Sequence, residues 1–200
     1  MNGATIKRNN EGTGFVRSVL LSPFYLSNMN ILALFKPIKT FVFDVDGVLT
    51  DGMILLFENE MARSMNTRDG FALQLAVKKG YRVVVISGGK SAAVKDRLTA
   101  LGITDVFLGV QQKKELLLQY VHQHQLQWQE MLFMGDDIPD YSSMQLVGLP
   151  CCPADATDEI KQIARYISPF NGGHGCGRDV IEKVLKLNGD WDLGTDIASK

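Results

Sequence analysis

The chain has 200 residues, 46% of them hydrophobic, which is enough to bury one good core and leave an extension over. Its 21 basic and 22 acidic residues nearly cancel, so a general nucleic-acid or other polyanion surface is excluded and only a local anion site is left open. Three cysteines, two of them adjacent at Cys151 and Cys152, form no disulfide framework and read as small buried apolar residues of a reducing, cytoplasmic compartment.

The first 36 residues stand apart. Residues 15–35 are apolar but broken by Ser18, Ser22, Pro23, Ser27, Asn28 and Asn30. No run reaches the roughly 18 consecutive apolar residues of a spanning helix, and no small-x-small cleavage site follows. The stretch reads as a loosely ordered extension, or as sequence upstream of a start at Met29, ahead of a domain over 37–190 and a short tail at 191–200.

From Lys39 onward, short continuous apolar runs at 41–43, 83–86, 106–108, 131–134 and 149–152 suit strands buried on both faces. Helical patterns lie between them: 69–79 ahead of Gly80, 91–101 ahead of Gly102, 113 to about 124, and a last helix at 179–187. This alternation predicts an α/β fold, a doubly wound parallel sheet with helices on both faces.

Ligands of such sheets bind beyond the carboxyl ends of the strands. Asp44 and Asp46 follow the first run, Ser87, Gly88 and Gly89 the second, Lys113 the third, and Asp136, Asp137 and Asp140 the fourth. Singly these are ordinary turn, cap and surface residues; their shared edge points to phosphoryl transfer. Carboxylates crowded in one cleft repel one another and call for a divalent cation, and oxygen-only ligands favour Mg²⁺. Asp44 is then placed to attack phosphorus and form an aspartyl-phosphate. Asp46, two residues on, can protonate the departing oxygen and later take a proton from water. Ser87, the backbone N–H groups near Gly88, and Lys113 can hold the equatorial phosphate oxygens.

These motifs, in this order, resemble the haloacid dehalogenase superfamily of aspartate-nucleophile phosphatases. The resemblance implies metal ligation by Asp44, the backbone carbonyl of Asp46, and Asp136, supported by Asp137 and Asp140. The short interval from Asp44 to Ser87 leaves room for a hairpin insert at 53–65 and no large cap domain. Within the superfamily, VLTDG at 48–52, TRDGFALQLAVKKG at 67–80, GVQQK at 109–113, MGDD at 134–137, GLPCCPADA at 148–156 and GGHGCGRDVIEKVL at 172–185 are most similar to the cap-less phosphatases of 3-deoxy-D-manno-octulosonate 8-phosphate. That family makes a precursor of lipopolysaccharide and tetramerises, so that hairpin and glycine-rich tail help neighbours enclose each site.

The resemblance places Arg68 and Asp69 against the sugar, with Arg178 reaching in from the tail. A guanidinium suits this role because it grips a carboxylate with two parallel hydrogen bonds. Two features depart from the family pattern: His174 in the tail, and the glycine-free turn Glu58-Asn59-Glu60. Three alternatives stay open: a phosphatase of a nine-carbon ulosonic acid 9-phosphate, a non-catalytic oligomeric subunit, and a receiver-like phospho-acceptor domain. A receiver carries its phosphorylated aspartate on a middle strand without an acid–base partner two residues later, and the order here argues against it.

Overall fold

The computed structural model describes residues 30–58 and 61–191. Met29, most of the expected extension, Asn59 and Glu60 of the hairpin turn, and the tail beyond Trp191 lie outside the described residues. In chain order the elements are α1 (Leu32–Phe35), β1 (Thr40–Phe43), a hairpin of β2 (Leu55–Leu56) and β3 (Met61–Ala62), α2 (Thr67–Lys78), β4 (Arg82–Ile86), α3 (Ala92–Ala100) and β5 (Asp105–Phe107). There follow α4 (Lys113–His124), β6 (Met131–Met134), α5 (Ile138–Met144), β7 (Leu149–Cys152), α6 (Asp158–Ile163), β8 (Tyr166–Ile167) and α7 (Cys176–Asn188).

Six strands pair in parallel in the order β5-β4-β1-β6-β7-β8, the doubly wound α/β sheet that the sequence predicts. Side chains alternate between the faces with the strand period of two. Phe41 and Phe43 of β1 enter one cluster with α2, α3 and α7, while Val42 enters the other with α4, α5 and α6. Because both faces are covered, the inner strands β1, β4, β6 and β7 read as runs of mostly apolar, buried residues. Phe35, on the N-terminal side of the boundary expected at 37, is fully buried and packs edge-on against Tyr166.

Helix starts follow local capping chemistry. Asn66 accepts from the backbone N–H of Arg68 at 2.8 Å to open α2, and Ser91 caps α3 from the Val94 N–H. The last helix begins at Cys176 rather than at the expected 179, because the buried carboxylate of Asp69 accepts from the Arg178 N–H at 2.6 Å and extends the first turn. The insert at 53–65 is a hairpin with two residues per strand, and no large cap is present among the described residues.

The glycine-rich tail docks on its own chain. The Gly173 N–H donates to the Val48 carbonyl at 2.9 Å, and Asn66 holds the Gly173 carbonyl at 3.1 Å. At Gly172 a Cβ would lie 2.0 Å from the carbonyl oxygen of Gly47, so the two backbones touch where a side chain cannot fit. Gly172→Ala is expected to lower stability by roughly 1–3 kcal/mol, read as a lower urea midpoint at an unchanged denaturant slope.

Candidate active site

The strand order reverses between β1 and β6: the chain leaves β1 toward β4 on one side and leaves β6 toward β7 on the other. This is the switch point at which open α/β sheets form their binding crevice. The register pairs Phe43 with Met134, and the Asp44 N–H donates to the Met134 carbonyl at 3.1 Å. Residues just past both strands therefore meet.

Asp44 is buried. One carboxylate oxygen accepts from the Val45 N–H at 2.6 Å, and the other lies 2.9 Å from Lys113 Nζ. Lys113, the first residue of α4, is buried as well and reaches Asp140 at 2.8 Å. Asp140, fully buried in the first turn of α5, uses its second oxygen to accept from the Asp136 N–H at 3.2 Å. Asp136 is anchored through its carbonyl, which accepts from both the N–H and the Oγ1 of Thr157, at 2.9 and 3.2 Å. Gly47 lets the loop after Asp44 pass close by: its φ is +84°, and a Cβ there would sit 2.0 Å from Asp136 Oδ2.

Carboxylate oxygens of Asp44, Asp136 and Asp140 all lie within 4.8 Å of one another. Burial, with the charge of Asp140, pushes Asp44 up to about 7 against the pull of Lys113. Asp136 rises to about 7 through burial and the neighbouring Asp140, Asp44 and Asp137 charges. Burial also raises Asp140, with Lys113 offsetting part of the rise. At Lys113 burial works against the charge, but Asp140 and Asp44 outweigh it and hold the ammonium above the ordinary lysine value. The directions agree: one firmly charged ammonium serves three acids and leaves them short of positive charge. Asp136 Oδ1 is buried without a hydrogen-bond partner. An all-oxygen donor set with an orphaned carboxylate oxygen fits a hard divalent cation.

Asp44, Asp46, Ser87, Gly88, Lys113 and Asp136 line one open cavity of about 560 Å³. Ser87 is buried, its Oγ accepting from the Gly89 N–H at 3.1 Å. Asp137, on the rim, caps α5 through the Ile138 N–H at 2.8 Å. Arg68 and Arg178 line a different cavity of about 520 Å³, shared with His174, Phe170 and Lys186. Asp69 lines neither of the two; it is buried beneath the start of α7. Arg63, absent from the sequence expectations, holds Asp46 through two bonds, Nε to Oδ1 at 2.6 Å and Nη2 to Oδ2 at 3.1 Å. One signal pointed to it: Arg63 is the sole basic residue of the insert 53–65.

Comparisons with known proteins agree with this geometry. Residues 109–178 match the haloacid dehalogenase-like hydrolase family. The 3-deoxy-D-manno-octulosonate 8-phosphate phosphatase KdsC of Escherichia coli K12 is 32% identical over 164 residues, spanning 82% of this chain and 87% of that protein. The Moraxella catarrhalis 3-deoxy-D-manno-octulosonate 8-phosphate phosphatase, solved in complex with magnesium ion, phosphate ion and KDO, superposes with a TM-score of 0.76 at 29% identity, covering 78% of this chain and 91% of that one. The cobalt-bound Haemophilus influenzae enzyme gives a TM-score of 0.74 at 29% identity over 78% and 92% of the two chains. With 82% of its length aligned to KdsC at 32% identity, the chain belongs to the 3-deoxy-D-manno-octulosonate 8-phosphate phosphatase family of haloacid dehalogenase-like hydrolases.

Proposed function

We propose that this chain is a magnesium-dependent phosphatase that hydrolyses 3-deoxy-D-manno-octulosonate 8-phosphate to the free sugar acid and inorganic phosphate, a step toward lipopolysaccharide. The observation that carries the reading is the buried, charge-deficient cluster of Asp44, Asp136 and Asp140 around Lys113 in a chain of this family. Asp44, the carbonyl of Asp46, and Asp136 would hold the magnesium, with Asp137 and Asp140 supporting them. Bound there, the ion supplies the missing positive charge and polarises a phosphate oxygen.

The rest of the reaction is assigned to side chains. Asp44 attacks phosphorus as the bond to the sugar oxygen breaks, and Asp46 gives that oxygen a proton. Water then attacks the aspartyl-phosphate, Asp46 takes its proton back, and Asp44 is freed as phosphate leaves. Ser87, the backbone near Gly88, and Lys113 hold the equatorial oxygens, where negative charge gathers.

Closure of this open site is assigned to a homotetramer. In support, the hairpin carries apolar side chains in water, with Met53 68%, Leu56 77% and Phe57 57% exposed. In this reading Arg68 and Arg178 grip the sugar carboxylate at an interface between subunits, and Asp69 holds the start of α7 beneath Arg178. A cytoplasmic location is supported by the three free, buried thiols. No helix among the described residues is long and apolar enough to cross a membrane.

Asp44→Asn is expected to lower kcat by about 10⁴-fold or more on the sugar phosphate, while circular dichroism and Tm stay at or above wild type because a buried charge has been removed. Activity retained in this variant would remove Asp44 as nucleophile, and a higher kcat/KM for a nine-carbon ulosonic acid 9-phosphate than for the eight-carbon ester would overturn the substrate assignment.

Magnesium should also link stability to pH. With Asp44 and Asp136 raised to about 7, the metal-free fold keeps protons that the unfolded chain sheds above about pH 4, so their contribution to stability falls as pH climbs from about 4 to about 7. Magnesium binds the ionised forms, so the Tm gain on adding it is expected to be larger at about pH 8 than at about pH 5.5. Equal gains would take both residues out of the ligand set.

The double variant Leu56→Glu with Phe57→Glu places charge on the apolar hairpin. It is expected to shift the protein from tetramer to smaller species in light scattering and to raise KM, whereas an unchanged mass would place the interface elsewhere.

A further inference from the structure

Arg63 sits at the catalytic corner yet has no part in the steps above. It leaves β3 of an otherwise exposed hairpin, but its own side chain is only 6% exposed. Each oxygen of Asp46 accepts one bond, from its Nε or its Nη2, which leaves a second lone pair on each oxygen to carry the transferred proton, and its Nη1 is buried with no hydrogen-bond partner. Asp46 has little else to orient it. Its side chain is 31% exposed, and its other contact is a long one, 3.5 Å from Thr50 Oγ1. Without Arg63 the carboxylate could turn about its own bonds.

The opposite wall is shaped to admit this pair. Gly89 follows the phosphate-site Ser87 and lies outside the positive-φ region, so backbone conformation does not require glycine there. Space does. A Cβ on Gly89 would stand 3.0 Å from Asp46 Oδ2, 3.3 Å from Arg63 Nη2 and 3.5 Å from Ser87 Oγ. The bare position faces the guanidinium and the carboxylate together with Ser87 of the phosphate site.

Resting on the phosphatase reading, we propose that Arg63 is a positioning residue that fixes the Asp46 carboxylate for proton transfer to the leaving oxygen, with Gly89 left bare to seat the pair. A paired, planar grip is what a guanidinium supplies and an ammonium cannot. The consequence is selective. A sugar alkoxide leaves poorly unless Asp46 delivers a proton as the P–O bond breaks, whereas the acetate of acetyl phosphate leaves without one. The constant kcat/KM reports transfer to Asp44 alone, before the hydrolytic step that both substrates share.

The test is kcat/KM for the sugar 8-phosphate and for acetyl phosphate in wild type, Arg63→Gln, Arg63→Lys and Gly89→Ala, and again for Arg63→Gln in an Asp46→Asn background. Arg63→Gln is expected to lose about 10² on the sugar ester, within the range of general acid catalysis, and less than about 3-fold on acetyl phosphate. Arg63→Lys should be intermediate, Gly89→Ala should show the same selectivity with Arg63 intact, and Arg63→Gln should cost nothing further once Asp46 is Asn. Equal losses on both substrates, or a further loss in the Asp46→Asn background, would overturn the positioning role. A wild-type protein that turns over neither substrate would overturn the phosphatase reading instead.

Discussion

Three carboxylates share one buried ammonium at the point where the sheet reverses its strand order. The imbalance follows from the fold: the pairing of Phe43 with Met134 brings Asp44 beside Asp136, and one turn of helix brings Asp140 beneath them. Two like charges 4 Å apart repel by about 1 kcal/mol in water and about 4 kcal/mol at an effective dielectric constant of 20, so the crowding is felt because the cluster is largely shielded from solvent. Protonation relieves it in one way and a cation in another. The second also prepares the site for a phosphate ester, whose own negative charge could not otherwise enter. Lys113 keeps its charge throughout and ties the acids to one another, which makes it structural and electrostatic at once.

Parts of this were legible in the chain alone. Asp44 and Ser87 stand directly after an apolar run, Asp136 one residue further on and Lys113 at the end of a four-residue loop, and a parallel sheet gathers such positions on one edge whatever lies between them. Other parts had no such marker. β8 has two residues, and α5 and α6 have seven and six, too short to show a helical or strand period above the noise of composition. Asp69 looks like a polar residue early in an exposed helix; its burial under the Arg178 N–H depends on where a helix more than a hundred residues later comes to rest. Arg63 was hidden for the same reason, since its partner Asp46 lies across a hairpin whose two-residue strands carry no readable register. Trp191 gave no sequence signal, and in the fold it stands edge-on to Phe71 with the Arg178 guanidinium 5.2 Å from its ring centre.

The absence of a large cap among the described residues sets a second constraint. Among the described residues, most large apolar side chains are withdrawn into the two clusters on either side of the sheet, yet the hairpin between β1 and α2 leaves several of its own in water. Such exposure is unfavourable for an isolated chain and carries an aggregation hazard, which covering the hairpin would relieve. The base of that hairpin differs: the segment's outer part faces solvent, while Met65 packs against the core and Arg63 is fastened to Asp46. The hairpin is thus fixed to the chemistry at one end and open at the other.

The docked tail has a mechanical implication. Gly172 and Gly173 lie backbone to backbone against residues 47–51, the loop that carries the turn after Asp46, and Cys176 at the head of α7 holds the same loop through the Val48 carbonyl. With no side chain between them to absorb a shift, a tug on the tail is felt directly by the strand-end loop. Whatever grips α7 from outside therefore has a short lever on the aspartates.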